Sequence, residues 1–427
     1  MIDEEWRYFA PGGAIVPGGP STWHILDWDQ RRIIAVTMDE EQESEDVAVG
    51  HLKKHIDALG SDVYAISLSQ DGGLVSVTVS TNPRDDETTC VYYPPLQAAP
   101  LPGRVKTVLR SDLLELDRLS PNVDLVSYTL RAGTTDTRAV FKYYFLFQFL
   151  HKLWHEMNLW IRLPPHPNIV PFDRLVLDEL HGRMVGFTSL YISGGTVEEN
   201  KSRVFKLEWL RQLTCVVDDL NLKYGIAHQD IAARNLLVDP ETDALMLFDF
   251  NYSGQIGGIG YAKDREDVKG VTFTLYEIIT RDMHFRDIPY DQQNPADVEG
   301  LEEWLQHPDV KLDHSVSEYR TVLGEWVKKR REGRQVATYT EAPEYIDWPG
   351  FPTPTARDRV FSDGCGNSTV VQGVVMYDMR RDEREKGIAV LNWERPSQNK
   401  LVNGNRVLAN GQLVSSTERT GSDGPDN

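Results

Sequence analysis

Gly225-Ile226-Ala227-His228-Gln229-Asp230-Ile231-Ala232-Ala233-Arg234-Asn235-Leu236-Leu237-Val238 is the most informative stretch of the chain. It follows Lys206–Tyr224, where Leu207, Leu210, Leu213, Val217 and Leu220 share one helical face and Gly225 stands in the capping position. Asp230 and Asn235 therefore sit between a helix end and an apolar run. Fourteen positions after Asn235 comes Asp249, within Leu247-Phe248-Asp249-Phe250-Asn251. Leu236–Val238 and Leu245–Phe248 read as two short strands flanking a turn.

H-x-D-x4-N with D-F at this distance resembles the catalytic and metal loops of the protein kinases, H-R-D-x-x-x-x-N and D-F-G. The resemblance implies that Asp230 accepts the proton of a hydroxyl nucleophile, while Asn235 and Asp249 hold magnesium from two sides. Arg138-Ala139-Val140-Phe141-Lys142 resembles the V-A-I-K strand, which implies Lys142 on the α- and β-phosphates of ATP. A helix expected over Leu146–Leu163 carries Glu156 and is followed by His166-Pro167-Asn168-Ile169-Val170. That order is similar to the kinase helix whose Glu orients the lysine. Phe187–Val197 resembles the strand that runs into the hinge, which implies that backbone near Leu190 and Ile192 meets adenine. Asp267–Thr280 resembles the buried helix of the large lobe, with Asp267 anchoring the catalytic loop. The resemblance covers about residues 111–330. Glu341-Ala342-Pro343-Glu344 and Trp393-Glu394-Arg395-Pro396 are similar to the tails of kinase-like proteins from filamentous fungi.

Three departures stand out. Leu119–Val126, where the glycine-rich loop belongs, contains no glycine, and Asp124 would add a like charge near the triphosphate. Each hydrogen bond lost to a charged group costs about 1.5–3 kcal/mol, so weak nucleotide affinity is expected. Gln229 replaces the Arg that pairs with a phosphorylated activation loop, so no such switch is expected. Asn251 replaces the Gly of D-F-G, a milder change because Asn tolerates left-handed backbone. Finally, Asp249 and Asp267 are only 18 positions apart and no A-P-E lies between them, so the platform for a peptide substrate is missing.

The expected fold is α+β: a bilobal protein-kinase-like body with a small N-terminal α+β extension and an extended C-terminal tail. Residues 1–20, rich in Gly and Pro, read as a flexible arm. Residues 21–105 read as an α+β unit, with strands near Arg32–Thr37, Val63–Ser69, Leu74–Thr81 and Thr89–Tyr93 and a helix near Val47–Leu59. A Pro-rich linker closes it. The lobes are expected at 111–192 and 193–335, and the tail at 336–427, its last dozen residues disordered.

The 427 residues carry 45 Lys+Arg against 65 Asp+Glu, a net charge of −20. Nucleic acid and anionic membrane surfaces are disfavoured as partners, since both need clustered cations. The apolar run Val140–Leu150 is too short to span a bilayer, and the acidic start lacks the pattern of a signal peptide. Three scattered cysteines fit a reducing, cytoplasmic setting. The expected activity is transfer of the γ-phosphoryl of Mg-ATP to a protein hydroxyl. A nucleotide-free scaffold and a small-molecule kinase are the alternatives, motivated by the missing glycines and by the short segment after Asp249.

Overall fold

The computed structural model describes residues 2–79, 86–103, 105–129, 136–362, 368–401 and 404–415. Arg32–Met38 (β3) and Val63–Leu68 (β4) are apolar almost throughout, and this suits strands covered on both faces. They lie parallel at the centre of a five-stranded sheet, joined by the helix Glu45–His55 (α2). The sheet order is Tyr8–Ile15 (β1), Ser21–Asp27 (β2), β3, β4, Leu74–Val79 (β5). Ala48, Leu52 and Ile56 of α2 pack onto Ile25, Ile34, Val36 and Ile66.

Residues 1–20, expected to be a flexible arm, instead supply a helical turn, Glu4–Arg7 (α1), and the edge strand β1. The unit therefore begins well before position 21. Buried Arg7 grips Asp27 at 2.8 and 2.9 Å. Gly13 is required by contact: a Cβ there would lie 2.8 Å from the Trp23 ring.

Thr89–Val91 (β6) pairs with Tyr377–Met379 of the C-terminal segment. A six-stranded sheet follows from Thr107–Leu109 (β7), Leu114–Ser120 (β8), Val123–Tyr128 (β9), Thr137–Tyr143 (β10), Phe172–Leu177 (β11) and Met184–Leu190 (β12). Its order is β7-β11-β12-β10-β9-β8, antiparallel except between β7 and β11. The helix Leu150–Arg162 (α3) turns Leu153, Met157 and Trp160 into the core beneath the sheet, together with Leu175 and Phe187.

The same core continues into a helical region built from Leu207–Asp218 (α4), Asp267–Thr280 (α5), Pro295–Glu299 (α6) and Val316–Glu332 (α7). α5 is the central one, its apolar and polar residues alike mostly buried. The architecture is thus mixed and of α+β type, with several separate sheets and no barrel among the described residues.

The C-terminal segment is extended, but it is docked rather than loose. Trp393 stacks on Tyr143 with ring centroids 5.2 Å apart, and Ala409 donates its amide to the Leu113 carbonyl at 2.8 Å. The expected disordered end, 416–427, lies outside the described residues.

Candidate active site

Alternation along β10 decides which way its lysine faces. Ala139, Phe141 and Tyr143 are buried in the outer core with Trp393, so Val140 and Lys142 face the other side, toward α3. There the fully buried Glu156 meets the ammonium: Lys142 Nζ lies 2.8 and 3.0 Å from its two carboxylate oxygens. On its other side Lys142 donates to Asp249 Oδ1 at 2.5 Å. One cation thus bridges carboxylates from two other elements.

Asp249 follows the short strand Leu245–Leu247, which pairs with Leu236–Val238. Its backbone is left-handed, φ 65°. The sequence reading placed left-handed tolerance at Asn251, but the turn asks it of Asp249 instead. Such strain persists only where surroundings over-determine it. Here Phe250 is fully buried, edge-on to Trp160 of α3 at 5.2 Å and tilted over His228 at 5.1 Å.

The loop holding Asp230 is fixed from beneath. Asp267, at the start of α5, accepts amide bonds from His228 at 2.8 Å and Gln229 at 2.7 Å, and a side-chain bond from Asn221 at 2.7 Å. It does the anchoring work expected of it. His228 Nδ1 accepts the Asp230 amide, so Nε2 carries the proton and donates to the Phe248 carbonyl at 3.0 Å. Asn235 donates Nδ2 to Asp230 Oδ2 and to its carbonyl, both at 2.8 Å, and its own carbonyl accepts from Phe248. Arg234 caps the remaining Asp230 oxygen at 2.5 Å. Glu156, Lys142 and Asp249 are thus in direct contact, as are Asn235 and Asp230, and the two sets are joined through the amide of Phe248, the neighbour of Asp249, on the Asn235 carbonyl.

Burial raises the Glu156 carboxyl to about 7, with Lys142 opposing and the Asp249 charge adding to the rise. Burial acts the same way on Asp249, but Lys142 outweighs it and holds that carboxyl below its usual value. Lys142 is held well above its ordinary range; burial opposes this, and Asp249 and Glu156 override burial. The shared proton balance leaves Asp249 as the ionised partner and Glu156 as the one poised near neutrality. Among the described residues no set of three or more His, Cys, Asp or Glu could hold a metal ion. One carboxylate and one amide, Asp249 and Asn235, fit magnesium, an ion usually held by one or two carboxylates plus substrate phosphates.

No family model matches the chain, and none of the curated proteins matches it.

Leu190 and Ile192 stand apart from the polar five. Leu190 ends β12 opposite Ala139, and its amide is committed to the Pro171 carbonyl at 3.0 Å. Ile192, two residues on, is half-buried against the main core.

The hairpin expected over the phosphates turns tightly between β8 and β9, with Asn122 left-handed at φ 63°. Asp124 does not face that side. It is fully buried, 2.9 Å from Arg395 Nη1 and 3.7 Å from Arg31. Arg395 also bonds Glu115, and it reaches the Asp29 carbonyl at 2.7 Å, while Arg118 bonds Asp29 and Glu115 at 2.7 Å each. Three cations and three anions thus neutralise one another, none of the side chains more than 5% exposed. The like charge expected near triphosphate is therefore absent. Periodicity could not show this, because Asp124 lies on a strand whose inward positions are normally apolar.

Gln229 was also read only as a missing Arg. Its side chain donates to the Tyr252 carbonyl at 2.6 Å and the Gly260 carbonyl at 2.7 Å, and accepts the Ala262 amide at 2.5 Å. It ties down the short connection after Asp249 with no charge involved.

Proposed function

We propose that the chain is a protein-kinase-like phosphotransferase that moves the γ-phosphoryl of Mg-ATP to a protein hydroxyl. In this reading 111–192 and 193–335 are the two lobes of a bilobal body. The observation that carries it is Lys142 held between Glu156 at 2.8 Å and Asp249 at 2.5 Å, since a strand lysine paired with a helix glutamate is the arrangement phosphoryl transfer requires. Phe250, packed under α3, supports it by fixing the turn that aims Asp249.

The chain's own residues then divide the work. Lys142, steadied by Glu156, binds phosphate oxygens. Asp230 orients the acceptor hydroxyl and takes its proton, while Arg234 and Asn235 hold the carboxylate in place. Asn235 has its amide nitrogen committed to Asp230, so its amide oxygen would be the atom that joins Asp249 in holding magnesium. Magnesium arriving with the nucleotide would neutralise charge building on the phosphates. Backbone around Leu190 to Ile192 is left for the base, chiefly beyond the committed Leu190 amide. An intracellular setting accords with the free thiols Cys90 and Cys215, and no helix among the described residues is long and apolar enough to cross a membrane. Cys365 lies outside the described residues.

A nucleotide-free scaffold is the second reading, favoured by the glycine-free turn at Pro121-Asn122 and by the direct Lys142–Asp249 pair. Incorporation of labelled phosphate into a protein substrate separates the two. Incorporation that disappears in Asp230→Ala is the expected result; incorporation that survives it excludes Asp230 as the base.

A further inference from the structure

Beside Asp230 lies a cavity of about 120 Å³, walled by Gln229–Ala232, by Arg265 and by the start of α5. Four cations line it, and two are already neutralised: Arg234 by Asp230 at 2.5 Å and Arg286 by Glu277 at 2.7 Å. The other two are Arg265 and Lys269. Among the described residues neither has a carboxylate within ion-pair distance.

Lys269 is only 6% exposed, and its one hydrogen bond goes to the Tyr290 carbonyl at 2.6 Å. An ammonium so buried is normally paired with a carboxylate. Two of its three protons have no protein acceptor of that kind. The Arg265 guanidinium lies over two rings, 4.1 Å from the Tyr290 centroid and 5.0 Å from that of Tyr252. Stacking fixes the guanidinium faces and leaves its N–H edge for a planar anion. Tyr252 is itself held through its carbonyl by Gln229, so the arrangement is built and not incidental. Of the other carboxylates lining the cavity, Asp267 accepts three N–H bonds, from Asn221, His228 and Gln229, and Glu266 is exposed to solvent.

We propose that this cavity receives an acidic side chain of the protein substrate, next to the hydroxyl presented to Asp230. The inference rests on the phosphotransferase reading and names its substrate class. Whole small-molecule ligands occupy roughly 300–1,000 Å³, so a cavity of about 120 Å³ takes one group of a larger partner. A chain of net charge −20 repels acidic partners at a distance, so the two unpaired cations confine recognition to this spot.

The test uses the full chain, Mg-ATP and three peptide pools that share a hydroxyl residue and differ in acidic, neutral or basic flanks. Acidic peptides should be used with kcat/KM about tenfold above neutral ones, the scale of one or two charge-assisted hydrogen bonds. Arg265→Gln and Lys269→Gln should each shrink that ratio, mainly through KM, and Lys269→Arg should keep it. Arg265 makes no buried hydrogen bond through its side chain, so its variant serves if Lys269→Gln fails to fold. A labelled acidic peptide with Ala in place of the hydroxyl residue supplies a binding readout independent of chemistry. Equal use of the three pools, or a ratio untouched in Arg265→Gln, overturns the proposal. Binding of the Ala peptide that both variants weaken, with no phosphate transfer to any pool, rejects the phosphotransferase reading alone. No binding and no transfer rejects both.

Discussion

Arg395 and Asp124 are 271 positions apart in sequence and 2.9 Å apart in space, and neither side chain is exposed. Asp124 faces Phe141 across the ladder, and its neighbour Val123 faces Lys142. The C-terminal segment therefore braces the strand beside the site lysine.

Removing one member of a buried charge cluster leaves its partners uncompensated, at about 3–5 kcal/mol. Arg395→Ala should lower the unfolding free energy read from urea titration by that amount. Asp124→Leu combined with Arg395→Met should recover part of it, because the variant removes one charge of each sign, Glu115 keeps Arg118, and only Arg31 loses its carboxylate. Equal destabilisation in the double variant would show that the cluster acts through packing alone.

Gln229→Ala removes three side-chain bonds to the segment 252–262, each contributing about 1 kcal/mol. Hydrogen exchange at the Ala262 amide should accelerate by on the order of tenfold or more, with smaller changes in the five-stranded sheet. Phosphatase treatment of the wild-type protein should leave that exchange unchanged, since the tie carries no phosphate.

The Glu156 carboxyl, raised to about 7 from its ordinary 4.5, gives a pH signature. The folded protein holds this proton across that interval and the unfolded chain does not. Its contribution to stability is full at low pH and declines as pH rises from about 4.5 through about 7. Glu156→Gln should flatten that decline in thermal melts. In the phosphotransferase reading, magnesium arriving with nucleotide would take up Asp249 and leave Glu156 as the counter-ion of Lys142, so binding should release a proton near pH 7. Calorimetry in buffers of different ionisation enthalpy reads this release, and Glu156→Gln should abolish it.

Much of the site was legible because its residues are local in sequence. Asp230 and Asn235 share a turn, and Lys142 and Glu156 sit on adjacent elements whose periodicity is plain. What escaped was long-range. The glycines of 1–20 read as looseness, whereas Gly13 is there because Trp23 leaves no space for a Cβ. Asp124 read as a charge on the phosphate side because its partner, Arg395, is far along the chain. The grip of Gln229 on backbone groups has no sequence signature, since any residue offers a carbonyl.

A Mg-ATP titration followed by thermal melting, on the wild type and on Asp249→Asn, tests the central claim most directly. A ligand that binds only the folded state must raise Tm, by about 2.7 kcal/mol of stabilisation at one hundred times Kd. The account predicts a concentration-dependent rise of several degrees at millimolar Mg-ATP in the wild type, growing with the logarithm of concentration, and a rise largely lost in Asp249→Asn. No rise in the wild type, or the same rise in both proteins, would contradict it.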